Sequence, residues 1–183
     1  LGVLYEEGQG VDQDYCKALE YYERSSIECN SDAQFRLGTI YIEGKFVEQN
    51  YKKAKQYFEL AALNNNPDGL YHVGHFYLNG DIFDVDLFRA IRYFKESTKI
   101  HKQKVKIHNN VDNYYTMKTV YNNYYYHSHN ELGLIYITEY QDIEKGNEHI
   151  KEAAFGEYPF GQNNYGLLYE IYFHKKEEAE YFY

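Results

Sequence analysis

Small and aromatic residues return along this chain at helical spacing. Ala33, Leu37, Gly38 and Tyr41 follow one another at intervals of 4, 1 and 3, which puts them on one face of an α-helix. Ala54, Tyr57, Phe58, Ala61 and Ala62 form a similar stripe a short distance on. The stripes recur. LGVLYEEG at Leu1, LGTIYIEG at Leu37 and VGHFYLNG at Val73 set Gly2, Gly38 and Gly74 at steps of 36. Sixteen residues after each comes a second signature: KALEYY at Lys17, KAKQYF at Lys53 and RAIRYF at Arg89. Two later copies are shorter by three residues, pairing Gly133 with Gly146 and Gly166 with Ala179. Pairs of small residues follow the second signature at Ser25–Ser26, Ala61–Ala62, Ser97–Thr98 and Ala153–Ala154. From there the next glycine is 12 residues away, except between Thr98 and Gly133, where 23 residues are inserted.

Each copy predicts two helices. Pro67 and Pro159 stand seven residues before their glycines, where a first helix starts and a fixed φ suits the first turn. Asp14, Asn50, Asp86 and Asp142 lie four residues before the small residue of the second signature, placed to cap the second helix. Gly8 and Gly10 supply a left-handed turn between the two. One such helix pair cannot bury its aromatic stripe alone. Ordering some 36 residues costs roughly 1.5 kcal/mol each, and only stacking against neighbouring pairs offsets that.

These residues resemble the Sel-one-like repeat family, the longer cousin of the tetratricopeptide repeat. Leu1, Gly2, Tyr5, Gly8, Gly10, Val11, Asp14, Lys17, Ala18 and Tyr21 follow the family pattern. The second copy departs at Phe46 and Asn50 and the third at Ile82 and Arg89, while the fourth and fifth lack the glycine loop. The expected fold is all-α: a right-handed α-solenoid of helix-turn-helix repeats spanning residues 1–183. Its repeats run approximately 1–30, 31–66, 67–100, 127–157 and 158–183, with a Tyr/Asn/Lys-rich insertion at 101–126. Because the pattern is cut at both ends, the chain reads as a fragment of a longer protein. The resemblance implies a non-catalytic scaffold or adaptor. The alternative is a regulatory repeat segment of a larger enzyme, for example a kinase, lying outside these residues.

By likeness to tetratricopeptide arrays, the first helices line a concave groove for a protein or peptide partner. The mapping selects Phe35, Thr39 and Ile42 from the second repeat and Tyr71, His75 and Leu78 from the third. Asn130 and Leu134 follow from the fourth, and Asn163 and Leu167 from the fifth. Packing between adjacent repeats is the competing reading for any one of them.

Composition narrows the chemistry. With 19 Lys plus Arg against 28 Asp plus Glu, the net charge is −9, which argues against duplex DNA or RNA as a partner. No apolar stretch is long enough to span a membrane. Cys16 and Cys29, thirteen positions apart with helix between, are too distant for a disulfide, and a reducing, cytoplasmic setting is favoured. His72 and His75, or His127 and His129, lack the further ligands a metal needs. No nucleophile elbow, phosphate loop or dinucleotide fingerprint occurs, so no enzyme activity, cofactor or metal is expected. The insertion alone is basic, with Lys99, Lys102, Lys104 and Lys106 ahead of Tyr114, Met117, Tyr121 and Tyr124. A solvated elaboration is the leading reading, then an acidic protein partner; single-stranded nucleic acid and a membrane surface are the others. Oligomeric state is not legible.

Overall fold

The computed structural model describes residues 1–80, 83–108, 123–156 and 158–173, and among these the regular secondary structure is helical. The chain divides into two compact units, Leu1–Asp86 and Leu87–Tyr183. The division falls between the two signatures of the third repeat.

The first unit holds α1 (Gly2–Glu7), α2 (Tyr15–Ile27), α3 (Ser31–Glu43), α4 (Tyr51–Leu63) and α5 (Pro67–Asn79). Each helix packs on the next, so first and second helices alternate. Asp14 and Asn50 cap their helices as the sequence predicts, and Asn66 caps α5 in addition. Asp14, Asn50 and Asn66 accept from the backbone N–H of Lys17, Lys53 and Gly69 at 3.0, 2.9 and 2.9 Å, and Pro67 opens α5. Gly8 and Gly10 take positive φ, 69° and 73°. Phe46, standing where the first repeat has Gly10, also takes a positive φ, 53°, and its ring stacks on Tyr15 at 4.3 Å. That contact offsets a backbone cost of roughly 1–2 kcal/mol.

The second unit holds α6 (Leu87–His108), α7 (Asn123–Thr138), α8 (Ile143–Phe155) and α9 (Pro159–Leu168), followed by a π-helical turn (Tyr169–Phe173). Asp142 caps α8 through the N–H of Lys145 at 3.0 Å, and Pro159 opens α9. α6 is 22 residues long and runs well into the insertion, while α7 begins at Asn123, upstream of the expected start at 127. Both ends of the insertion are therefore helical extensions. Tyr114, Met117 and Tyr121, the side chain of Lys106, Ile82, and the last signature around Ala179 lie outside the described residues.

The small residues are sites of close approach between helices. A Cβ on Gly2 would stand 2.7 Å from the Tyr22 ring, one on Gly38 2.6 Å from Phe58, and one on Gly133 2.5 Å from Ile150. These are the same pair in three repeats, and the shorter loop of the fourth moves its partner by the missing three residues. Between repeats the contact is also fixed. Cβ atoms on Gly69 and Gly161 would each meet the Cβ of Ala61 and Ala153 at 2.7 Å. The equivalent pair across the insertion is Ser97 and Ser128, with Ser128 Oγ donating to Ser97 Oγ at 3.3 Å. The insertion thus leaves the stacking step intact.

The signature Tyr and Lys are structural as well. The Lys17 ammonium lies 5.2 Å from the Tyr5 ring, which stacks on Tyr21 at 5.6 Å. Lys53, Tyr41 and Tyr57 repeat this at 4.7 and 5.7 Å, and Lys145, Tyr136 and His149 at 4.3 and 5.7 Å. A cation over a ring adds about 0.5–1 kcal/mol at an exposed site.

Candidate functional site on the first helices

In the first unit, α3 and α5 present neighbouring aromatic side chains. Phe35 is half-buried, with its ring 5.7 Å from Phe58 and 5.7 Å from His72. The His72 ring stacks on fully buried Phe58 at 4.4 Å, and Tyr71 sits 5.4 Å from His72 and 5.8 Å from His75. Around this ring cluster, Thr39, Ile42, His75 and Leu78 are partly exposed. The Thr39 hydroxyl donates to the Phe35 carbonyl at 3.2 Å, and the Ile42 carbonyl accepts from Gln49 Nε2 at 2.7 Å. Tyr71 is only 6% exposed, so it supports the surface from below and does not line it. His72 was not among the positions the mapping selected, yet it joins Phe35 to Tyr71. No recurring residue type marks it, because the same place holds Arg36, Glu131 and Asn164 in other repeats.

In the second unit, Asn163 and Leu167 on α9 are exposed and Leu134 on α7 is partly buried. Leu134 packs on the cluster of Ile150, Ala154 and Tyr165. Asn130 is 4% exposed and accepts from Asn164 Nδ2 at 2.8 Å, which ties α7 to α9. Like Tyr71, it packs between repeats.

Two polar networks lie beside these faces. Glu6 accepts from the Tyr22 hydroxyl at 2.7 Å and from Lys45 Nζ at 2.9 Å. Burial alone would raise the Glu6 pKa, but these two hydrogen bonds outweigh it and hold the carboxyl below its ordinary range. In the second unit, His129 and His149 share a hydrogen bond between their Nδ1 atoms at 2.9 Å, and the Tyr125 hydroxyl donates to Glu152 at 2.6 Å. The other ring nitrogen of His129 is buried with no hydrogen-bond partner. Burial first, then His149 and Lys102, keeps His129 neutral, and burial with Lys95, Lys145 and Lys102 does the same for His149.

Acid should therefore weaken the second unit. Both imidazoles titrate below the ordinary 6.5, so the unfolded chain takes up protons first as pH falls. Their contribution is complete above pH 6.5 and is lost progressively below it, at up to about 1.4 kcal/mol per pH unit for each ring. Solvent screening lowers that ceiling for half-buried His149. Thermal melts from pH 7 to 5 should show a declining Tm. The double variant His129→Gln with His149→Tyr, which installs the residues found at these positions in the second repeat (Gln34 and Tyr57), should flatten the decline. An unchanged slope would show that the pair does not carry it.

The remaining chemistry is plain. Among the described residues no group of three or more His, Cys, Asp or Glu is arranged to hold a metal. His127 Nδ1 lies 3.2 Å from the Tyr158 hydroxyl. Cys16 and Cys29 are free and exposed. No described helix is long and apolar enough to cross a membrane.

Comparison with known proteins places this geometry. The model of the Sel1 repeat matches residues 1–26, 31–66 and 67–99, which are the first three repeats and just over half of the chain. No curated protein matches the sequence. Among solved structures, a Sel1 repeat protein from Oxalobacter formigenes superposes with a TM-score of 0.75 at 22% identity, covering 99% of this chain and 67% of that one. A protective antigen from uropathogenic Escherichia coli strains, displaying an SLR fold, gives 0.54 at 22% identity over 100% of this chain and 43% of its own. An immunity protein from Pseudomonas aeruginosa gives 0.60 at 12% identity, over 99% and 62%. At these identities the likeness speaks for the fold, an all-α repeat solenoid. The chain spans about two thirds of the first of these proteins and less than half of the second.

Proposed function

Because the chain belongs to the Sel1 repeat family, we propose that it is a non-catalytic interaction module whose first helices receive a segment of a partner polypeptide. The Sel1 repeat fold is generally a scaffold for protein interaction. The observation that carries the finer reading is the row of part-exposed rings on α3 and α5. Phe35, His72 and His75 lie within about 6 Å of a ring neighbour, held from beneath by Phe58 and Tyr71. Rigid aromatic side chains give contact area at low entropic cost, which suits recognition of an extended or helical segment. Thr39, Ile42 and Leu78 border that row, and Leu134, Asn163 and Leu167 are the corresponding positions in the second unit.

The test is partner retention by the intact protein. Thr39→Arg with His75→Arg should abolish capture of a partner from extracts of the source organism while leaving the helical circular dichroism and Tm unchanged. Gln56→Arg, on exposed α4, should capture as the parent does. Equal capture by both variants would move the binding surface off the first helices.

A further inference from the structure

The charges of this protein are sorted by helix. In the first unit, first helices α1, α3 and α5 carry Glu6, Glu7, Asp32, Glu43 and Asp68 against a single cation, Arg36. Arg36 lies close enough to Glu6 to lower its pKa, so that cation is already beside an acid. In the second unit, α7, α9 and the π-helical turn hold Glu131 and Glu170 and no Lys or Arg. The cations gather on two of the second helices: α4 bears three against one carboxylate and α6 seven against one, while α2 is balanced at two each and α8 has two against three.

The first-helix face is thus aromatic and anionic together. On α3, Asp32, Thr39 and Glu43 lie at intervals of 7 and 4 and share one side of the helix, and Glu7 is the repeat equivalent of Glu43. Glu7, Asp32 and Glu43 are all exposed. Resting on the reading above, we propose that the occupant of this face is a polypeptide segment rich in lysine or arginine. Its alkyl stems would lie along Phe35 and His72, with its charged heads at the carboxylate rim. The same arrangement repels acidic segments and nucleic acid, so it selects as well as attracts.

The experiment uses the whole chain and three fluorescein-labelled peptides of equal length and tyrosine content, their charged positions filled by lysine, glutamate or glutamine. Anisotropy should show the lysine peptide binding at least about tenfold tighter than the other two. That binding should weaken several-fold between about 50 and 300 mM salt. Glu7→Lys with Glu43→Lys should cost it about tenfold, and Glu20→Lys with Glu59→Lys, the same charge change on α2 and α4, should leave it unaltered. An equal loss from both double variants would mean diffuse attraction and would overturn the proposal. Equal binding of the glutamine or glutamate peptide, abolished by Thr39→Arg, would leave the first-helix surface standing and remove the cationic occupant. Failure of all three peptides to bind would remove both. Salt-reversible self-association of the chain alone, blocked by Glu7→Lys with Glu43→Lys, would overturn it in favour of a second copy docking its cationic second helices.

Discussion

Gly38→Leu should unfold the first unit or leave it barely stable. The Cβ alone would stand 2.6 Å from the Phe58 ring, and that ring has no exposed side toward which to retreat. Overpacking a tight core costs roughly 1–3 kcal/mol where neighbours can shift, and more where they cannot. Here a branched side chain must be placed where the buried Phe58 ring already lies. Ala54→Leu on the facing helix, at 0% exposure, should behave the same way. Glu43→Lys, exposed at the end of α3, should be near neutral to folding. Urea melts followed by circular dichroism decide this. Similar midpoints for all three would remove the small-residue contact as the basis of stacking.

Phe58→Ala should cost about 3–5 kcal/mol, a large fraction of the stability of an ordinary domain. Its ring touches more than the core. Phe35 at 5.7 Å, His72 at 4.4 Å and Phe76 at 5.9 Å all rest on it. Loss of the ring should loosen the aromatic floor of the first-helix face along with the helix pair. Partner retention measured below the variant's Tm should therefore fall too. Phe58→Leu should restore most of the stability and less of the retention, because it refills volume without a flat surface for His72 to stack on. Full retention in Phe58→Ala would separate the face from its floor.

The helix pairs, the caps at Asp14, Asn50 and Asp142, and the starts at Pro67 and Pro159 were legible because each is a local decision. A side-chain oxygen three residues ahead of an N–H needs no distant partner. The groove positions were less legible. Phe35, Tyr71, Asn130 and Asn163 occupy one place in four repeats, three residues before the glycine. Yet Phe35 is half-buried, Tyr71 and Asn130 are buried, and Asn163 is exposed. What covers that flank depends on the next repeat: Asn164 reaches Asn130, and His72 lies against Phe35. A pattern read within one repeat does not contain that information. The left-handed backbone at Cys29 and Asn65, one repeat apart, was also hidden, because cysteine gives no sign of positive φ and asparagine a much weaker one than glycine. The His129–His149 pair escaped for a third reason. It replaces a Gln and a Tyr found in the second repeat, and only the fold puts residues twenty apart within 2.9 Å.

The claim that first helices form the binding face is tested most directly by hydrogen–deuterium exchange on the intact protein, with and without the partner it retains. Protection should gather on α3 and α5 of the first unit and on α7 and α9 of the second, with α2 and α4 unchanged. Protection confined to α2 and α4, with first-helix amides exchanging as in the free protein, would contradict it.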